Sequence, residues 1–183
     1  MLSRPAAFPF YNCGILNATN NKLLVGGIFC NLEKAFNHVN HDILLSKLNF
    51  YGIGNKDLAL YQSYLDNGYC RTTIYNDREN SNKVSDGAKV RHGVPQGSVL
   101  GPQLFLFYVN DLPKIINETS KPIIFADDTS ILFAHSNLTD MSKNIHIVFT
   151  ALNKWLRANQ LSLNLNKTNY VRLGFTSPCI IIL

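Results

Sequence analysis

Asp127 and Asp128 stand side by side between two apolar runs, Ile123-Ile124-Phe125 and Ile131-Leu132-Phe133. Two adjacent carboxylates with a strand-like run on each side read as the tip of a β-hairpin. The pair repels itself. A tip relieves that by simple solvation, the commonest fate of an Asp-Asp turn, or by holding a cation. Hard divalent ions such as magnesium take oxygen ligands and leave positions open for phosphate, so an acidic tip suits phosphoryl or nucleotidyl transfer. A second feature lies upstream: Gly93-Val94-Pro95-Gln96-Gly97-Ser98-Val99-Leu100-Gly101-Pro102 is a Gly- and Pro-rich loop running into an apolar helix. Glycines let backbone amides come close to a ligand, and a helix start favours anionic groups. An ordinary connecting loop is the alternative, but its length, with Gln96 and Ser98 between glycines, better suits contact with a nucleotide or template.

These residues need a scaffold. Leu23 to Cys30 reads as a buried strand, with Gly26 and Gly27 marking close backbone approach. Asn40 to Tyr51 reads as a helix capped by Asn40, with Leu44, Leu45, Leu48 and Tyr51 on one face. A second helix is expected from Lys56 to Asn67, then a strand from Tyr69 to Tyr75. A polar, turn-like stretch from Asn76 to Asp86 and a return strand from Lys89 to His92 follow. Another helix covers Pro102 to Leu112, and the acidic pair joins strands Pro122 to Ala126 and Thr129 to Phe133. Ile145, Val148, Leu152, Trp155 and Leu156 keep helical spacing within Asn137 to Asn159, and Leu161, Leu163 and Leu165 alternate as in a half-buried strand. The mixture predicts an α+β domain, a small antiparallel sheet with helices packed on one face.

Composition narrows the class. An apolar fraction of 46% and a charged fraction of 16% describe a globular chain. The formal charge of +5 permits a nucleic-acid partner, but the basic residues are dispersed. Cys13, Cys30, Cys70 and Cys179 form no CxxC pair and no zinc spacing, which points to reduced thiols in an intracellular protein, with nucleus and cytoplasm equally open. His38 and His41 have no second ligand pair beside them. No secretory leader is visible, and the apolar run Val99 to Val109 is too short to span a bilayer, so no membrane partner is expected.

The run GVPQGSVLGPQLFLFYVNDL (Gly93 to Leu112) followed by FADDT (Phe125 to Thr129) resembles the reverse transcriptases of LINE-like and jockey-like, non-LTR retrotransposons. The resemblance extends back to GIFCNLEKAFNHVNHDILLSKL (Gly27 to Leu48) and forward to LNKWLRANQLSLNLNKT (Leu152 to Thr168). It covers roughly Leu23 to Leu173, with four blocks in the family order. It implies a reverse transcriptase palm that extends a DNA primer on an RNA template from dNTPs, with two Mg2+ ions aligning the primer hydroxyl and the α-phosphate. By that resemblance Asp127 is a metal-holding carboxylate and Asp128 its weaker neighbour. Phe36 is the bulky residue that excludes a ribose 2′-hydroxyl. Pro95, Gln96, Gly97 and Ser98 belong to the loop that contacts template and incoming nucleotide. Lys167 lies near the triphosphate.

The sequence also departs from that pattern. Asn31 stands where the family carries the aspartate that bridges both ions, and Asn37 replaces a second, commonly acidic position. Glu33 is close by, but its spacing does not match the motif. The expected organisation is an N-terminal segment over residues 1–22, a partial palm over 23–173 and a tail over 174–183, with fingers and thumb largely missing. The chain is then a degenerate fragment, unable to polymerise alone, or a catalytically silent nucleic-acid-binding remnant. A different magnesium-dependent phosphotransfer enzyme would fit FADD but not GVPQGSVLGP.

Overall fold

The apolar run after Lys22 becomes β1 (Leu24–Asn31), and the main sheet is assembled around it. The computed structural model describes residues 14–76, 80–116, 120–125, 128–173 and 179–182. The sheet has the order β6-β7-β1-β8-β9, every neighbouring pair antiparallel, with β6 at Lys121–Phe125, β7 at Asp128–His135, β8 at Asn169–Leu173 and β9 at Cys179–Ile182. Strand alternation divides the side chains between two faces. Ile28 and Cys30 of β1 and Ile131 and Phe133 of β7 enter the hydrophobic core. Phe29, Asn31 and Asp128 belong to the opposite face.

The core face is covered by helices α2 (His41–Phe50), α3 (Asn55–Asp66), α4 (Leu100–Val109), α5 (Leu112–Ile116) and α6 (Leu138–Ala158). A further helix, α1, covers 14–20 and lies differently: a Cβ on Gly14 would sit 3.8 Å from Leu132, on the other face. Asn40 caps α2 by accepting from the Ile43 amide at 3.0 Å, as its residue type and position predict. Met141, Val148, Leu152, Trp155 and Leu156 form the buried stripe of α6. Gly26 is the point of closest approach, because a Cβ there would collide with the Met141 side chain. The α2, α4 and α6 ends are knotted by Tyr108, which is fully buried. Its hydroxyl accepts from the Asn40 amide at 3.3 Å and donates to the Asn159 carbonyl at 2.7 Å.

Three expectations fail. Leu161, Leu163 and Leu165 do not form a strand: only a single bridge joins Leu163 to Leu32, and Leu165–Lys167 closes into a 3-10 turn. Their alternation comes from a loop packing its leucines, with Leu161 buried and Leu165 exposed. The following strand, β8, was unread because its five residues NYVRL are interrupted by polar side chains. The polar stretch Asn76 to Asp86 is not all turn: β4 (Ser81–Val84) pairs with β3 (Thr73–Asn76), while β2 (Tyr69–Cys70) pairs with β5 (Ala88–Lys89). These strands are solvent-exposed, so no apolar alternation marks them. The segment set aside as a tail contributes β9.

Candidate active site

β1 ends where β7 begins. Antiparallel register places Asn31 directly opposite Asp128, and the Asn31 Nδ2 donates to Asp128 Oδ1 at 3.1 Å. Asp127 lies outside the described residues. The segment after α6 is laced to the same strand end: the Asn164 amide donates to the Asn31 carbonyl and the Glu33 amide to the Ser162 carbonyl, both at 2.9 Å. This places the 3-10 turn Leu165–Lys167 beside the end of β1, with Lys167 exposed. Asn164 was not singled out from sequence; a backbone amide carries no residue-type signal.

Phe36 sits in a second 3-10 turn, Ala35–Asn37, entered through Lys34 at φ +45°. Its ring stacks on Phe105 of α4, centroids 4.6 Å apart. Half-buried, it packs against the hydrophobic core as an aromatic of the fold. The Gly-rich loop docks onto this turn. The Val94 amide donates to the Phe36 carbonyl at 2.8 Å, and the Gly93 amide to the Val39 carbonyl at 2.7 Å. Gly93 has φ +87°, and a Cβ there would lie 2.9 Å from Asn37 and Phe36 backbone atoms, so only glycine fits. His41 Nε2–H adds a bond to the Gly93 carbonyl at 2.8 Å.

Pro95, Gln96 and Gly97 are exposed at the loop tip. Ser98 is used internally: its hydroxyl donates to the Pro95 carbonyl at 2.8 Å and accepts from the Gly101 amide at 2.9 Å, closing the loop against the start of α4. Ser98 thus shapes the loop. Cys30, next to Asn31 but on the core face, has its thiol pushed up to about 12 by burial, which keeps it protonated and chemically inert.

Among the described residues, Asp128 and Asn31 are the groups at this strand end that would hold a divalent ion, and Asp127 lies outside them. Among the described residues the sheet edge offers one carboxylate, Asp128, bonded to one amide, Asn31. A two-ion site needs several anionic oxygens. Among the described residues no three His, Cys, Asp or Glu side chains gather into a metal-holding group. Glu33 is exposed. No helix of the described residues is long and apolar enough to cross a membrane.

The chain is 28% identical over 166 residues to the probable RNA-directed DNA polymerase from transposon BS of Drosophila melanogaster, covering 84% of this chain and 17% of that protein. It is 28% identical over 160 residues to the polymerase from transposon X-element of the same fly, and 27% over 176 residues to that of mobile element jockey. The chain spans 17–18% of the length of these relatives. Among solved structures, apo telomerase from Candida tropicalis, truncated of its C-terminal domain, matches with a TM-score of 0.68 at 15% identity, over 97% of this chain and 37% of that one. A telomerase from Candida albicans in complex with a fragment of telomeric RNA matches with a TM-score of 0.58 at 14% identity, over 96% of this chain and 32% of that one. At such identities these two share the fold. The model of the family described as "Reverse transcriptase (RNA-dependent DNA polymerase)" matches residues 10–178. This chain therefore belongs to the reverse transcriptase family, as a reverse transcriptase domain of the non-LTR retrotransposon kind.

Proposed function

We propose that the chain is the palm of a protein built for RNA-templated DNA synthesis, and that in this chain the palm holds nucleic acid without transferring nucleotides at a useful rate. Residues 23–173 form that palm. Its partners are an RNA template, a DNA primer and dNTPs. Reverse transcriptases work with a divalent metal; magnesium, and two ions of it, is the form proposed here, with Asp127, Asp128 and Asn31 at the position that would hold it. Phe36 walls the nucleotide sugar, Pro95, Gln96 and Gly97 face template and nucleotide, Ser98 holds their loop in shape, and Lys167 is the cation available to a triphosphate.

The observation that carries the reading is the Asn31–Asp128 hydrogen bond. It supports a palm, because it joins the first sequence block to the acidic hairpin. It also supports inactivity, because the group facing Asp128 at the strand end is a neutral amide rather than a second anionic oxygen. A primed RNA template tests both halves. The chain is expected to retain the primed template in the presence or absence of EDTA, and to add no nucleotide. Extension that requires magnesium and disappears in Asp127→Ala would overturn the inactive reading; failure to retain the template would overturn the palm's proposed partner.

A further inference from the structure

The chain leaves α6 through a turn that a side chain holds. After the capping residue Asn159, Gln160 adopts a left-handed backbone, φ +52°, a conformation that costs a glycine less than any residue with a side chain. Gln160 is exposed, yet its Oε1 accepts from Asn40 Nδ2 at 3.0 Å, across 120 residues of chain. The far side of Asn40 settles which atoms meet. Asn40 Oδ1 is committed to the Ile43 amide at 3.0 Å, so Nδ2 faces Gln160 and Gln160 answers with its oxygen. Asn40 is buried, and without Gln160 its Nδ2 would lose that acceptor in a place shielded from water. Tyr108 joins the same two helix ends from inside, through the Asn40 amide and the Asn159 carbonyl; Gln160 joins them where the chain turns away.

Two segments hang from the start of α2. On one side Asn40 bridges His92, and the His41 Nε2–H bond to the Gly93 carbonyl fixes the root of the Gly-rich loop. On the other side the chain passes from Gln160 through the buried Leu161 to the end of β1. There the Asn164 amide meets the Asn31 carbonyl, and Lys167 follows in its 3-10 turn. We propose that Gln160 is a positioning residue for nucleotide binding: through Asn40 it sets the segment that carries Lys167 relative to the Gly-rich loop. The proposal rests on the reading of Lys167 as the cation available to a triphosphate, and it assigns a part to a residue that touches neither the acidic hairpin nor the nucleotide.

The test uses the full chain, with amide hydrogen exchange at Asn164 as one readout. The other is the binding of inorganic tripolyphosphate, followed by the backbone amide resonance of Lys167. Gln160→Gly suits the left-handed backbone, so the urea midpoint is expected to hold. Exchange at Asn164 is nevertheless expected to quicken, and tripolyphosphate binding to weaken, each by about fivefold to tenfold. Gln160→Glu still presents an oxygen to Asn40 Nδ2 and is expected to restore both readouts. Asn40→Asp keeps the Ile43 cap and is expected to be tolerated, because Gln160 can turn its amide and donate. Asn40→Asp combined with Gln160→Glu sets two carboxylates face to face and is expected to lose both readouts. Slow exchange and unchanged tripolyphosphate binding in Gln160→Gly would overturn the proposal and leave the Lys167 reading standing. Equal losses in Gln160→Gly and Gln160→Glu would also overturn it. A uniform quickening of the core amides would do the same, since Gln160 would then serve stability alone. Tripolyphosphate that leaves Lys167 unmoved in the parent chain would overturn the Lys167 reading and the nucleotide part of this proposal with it.

Discussion

Asn31 and Asp128 face each other across β1 and β7 and are joined side chain to side chain at 3.1 Å. An amide donor there makes the strand end self-sufficient: the carboxylate has a partner without any ion. Replacing Asn31 with Asp puts two carboxylates in register. Unit charges about 4 Å apart interact by about 4 kcal/mol at an effective dielectric near 20, and partial exposure reduces that. Asn31→Asp is therefore expected to lose about 1–3 kcal/mol in urea unfolding without divalent ions. Millimolar magnesium is expected to restore most of the loss in the variant and to leave the parent unchanged. A variant as stable as its parent in EDTA would show that the pair does not bear on folding.

Cys30 gives a pH dependence of known sign. Its thiol ordinarily titrates near 9.0 and is pushed up to about 12 by burial. Between those values the unfolded chain has lost the proton and the native chain keeps it. Stability from this group is thus fully present below pH 9 and lost as pH rises, at about 1.4 kcal/mol per pH unit. Tyr108, whose phenol burial also pushes up, adds a loss of the same sign above pH 10. Lys47 acts in the opposite sense, because desolvation lowers its value despite the Asp111 carboxylate at 2.8 Å. Comparing the parent with Cys30→Ala isolates the thiol: the parent's urea midpoint is expected to fall more steeply from pH 8 to pH 11. Parallel slopes would assign the alkaline sensitivity elsewhere.

The sequence made the site's chemistry more visible than its frame. Asn40 announced α2 because an Asn just ahead of an apolar periodic run has one common use, and its side chain does accept the expected amide; Asn137 caps α6 in the same way. The strand ends at Asn31 and Asp128 were readable because long apolar runs bracket them. Their one-to-one register was not, since pairing is fixed by contacts between segments almost a hundred residues apart. The β3–β4 hairpin escaped for the opposite reason: Ser81-Asn82-Lys83-Val84 buries almost nothing, so no pattern of apolar residues records it. The structural parts of Ser98 and Phe36 are likewise a property of neighbours, Gly101 and Phe105, that residue type alone does not name.

Gly93 and Gly97 share a positive φ, of 87° and 83°, but differ in what surrounds them. Gly93 is pressed against Asn37 and Phe36 backbone at 2.9 Å, whereas nothing lies within 4 Å of a Cβ on Gly97. Gly97→Ala bears only the left-handed backbone penalty, about 1 kcal/mol. Gly93→Ala must also push backbone off backbone and is expected to lose about 3 kcal/mol or more, releasing the Gly-rich loop from the Phe36 turn. Urea unfolding of the two variants measures the gap. Equal losses would mean that the loop does not dock on Asn37.

The last expectation concerns rate. Nucleotidyl transfer spreads negative charge over the reacting phosphate, and the groups that stabilise it act through charge held in place beforehand. Asn31 withholds one unit of that charge at the strand end, and its amide proton is directed at Asp128 instead. A charge interaction of about 4 kcal/mol near 4 Å corresponds to roughly a thousandfold in rate. The chain spans 17% of the transposon BS polymerase, so the comparison is best made with these residues grafted into a full-length non-LTR polymerase, where the rest of the framework positions primer and template. The graft carrying Asn31 is expected to extend a primed RNA at least about a thousandfold more slowly than the graft carrying Asn31→Asp. Both are expected to retain the primed template equally. The 183-residue chain itself is expected to give no extension with either residue, while Asn31→Asp in it raises manganese binding read by spin resonance. Rapid extension by the Asn31 graft, abolished by Asp127→Ala, would show that an amide suffices at this position and would return the site to the active class.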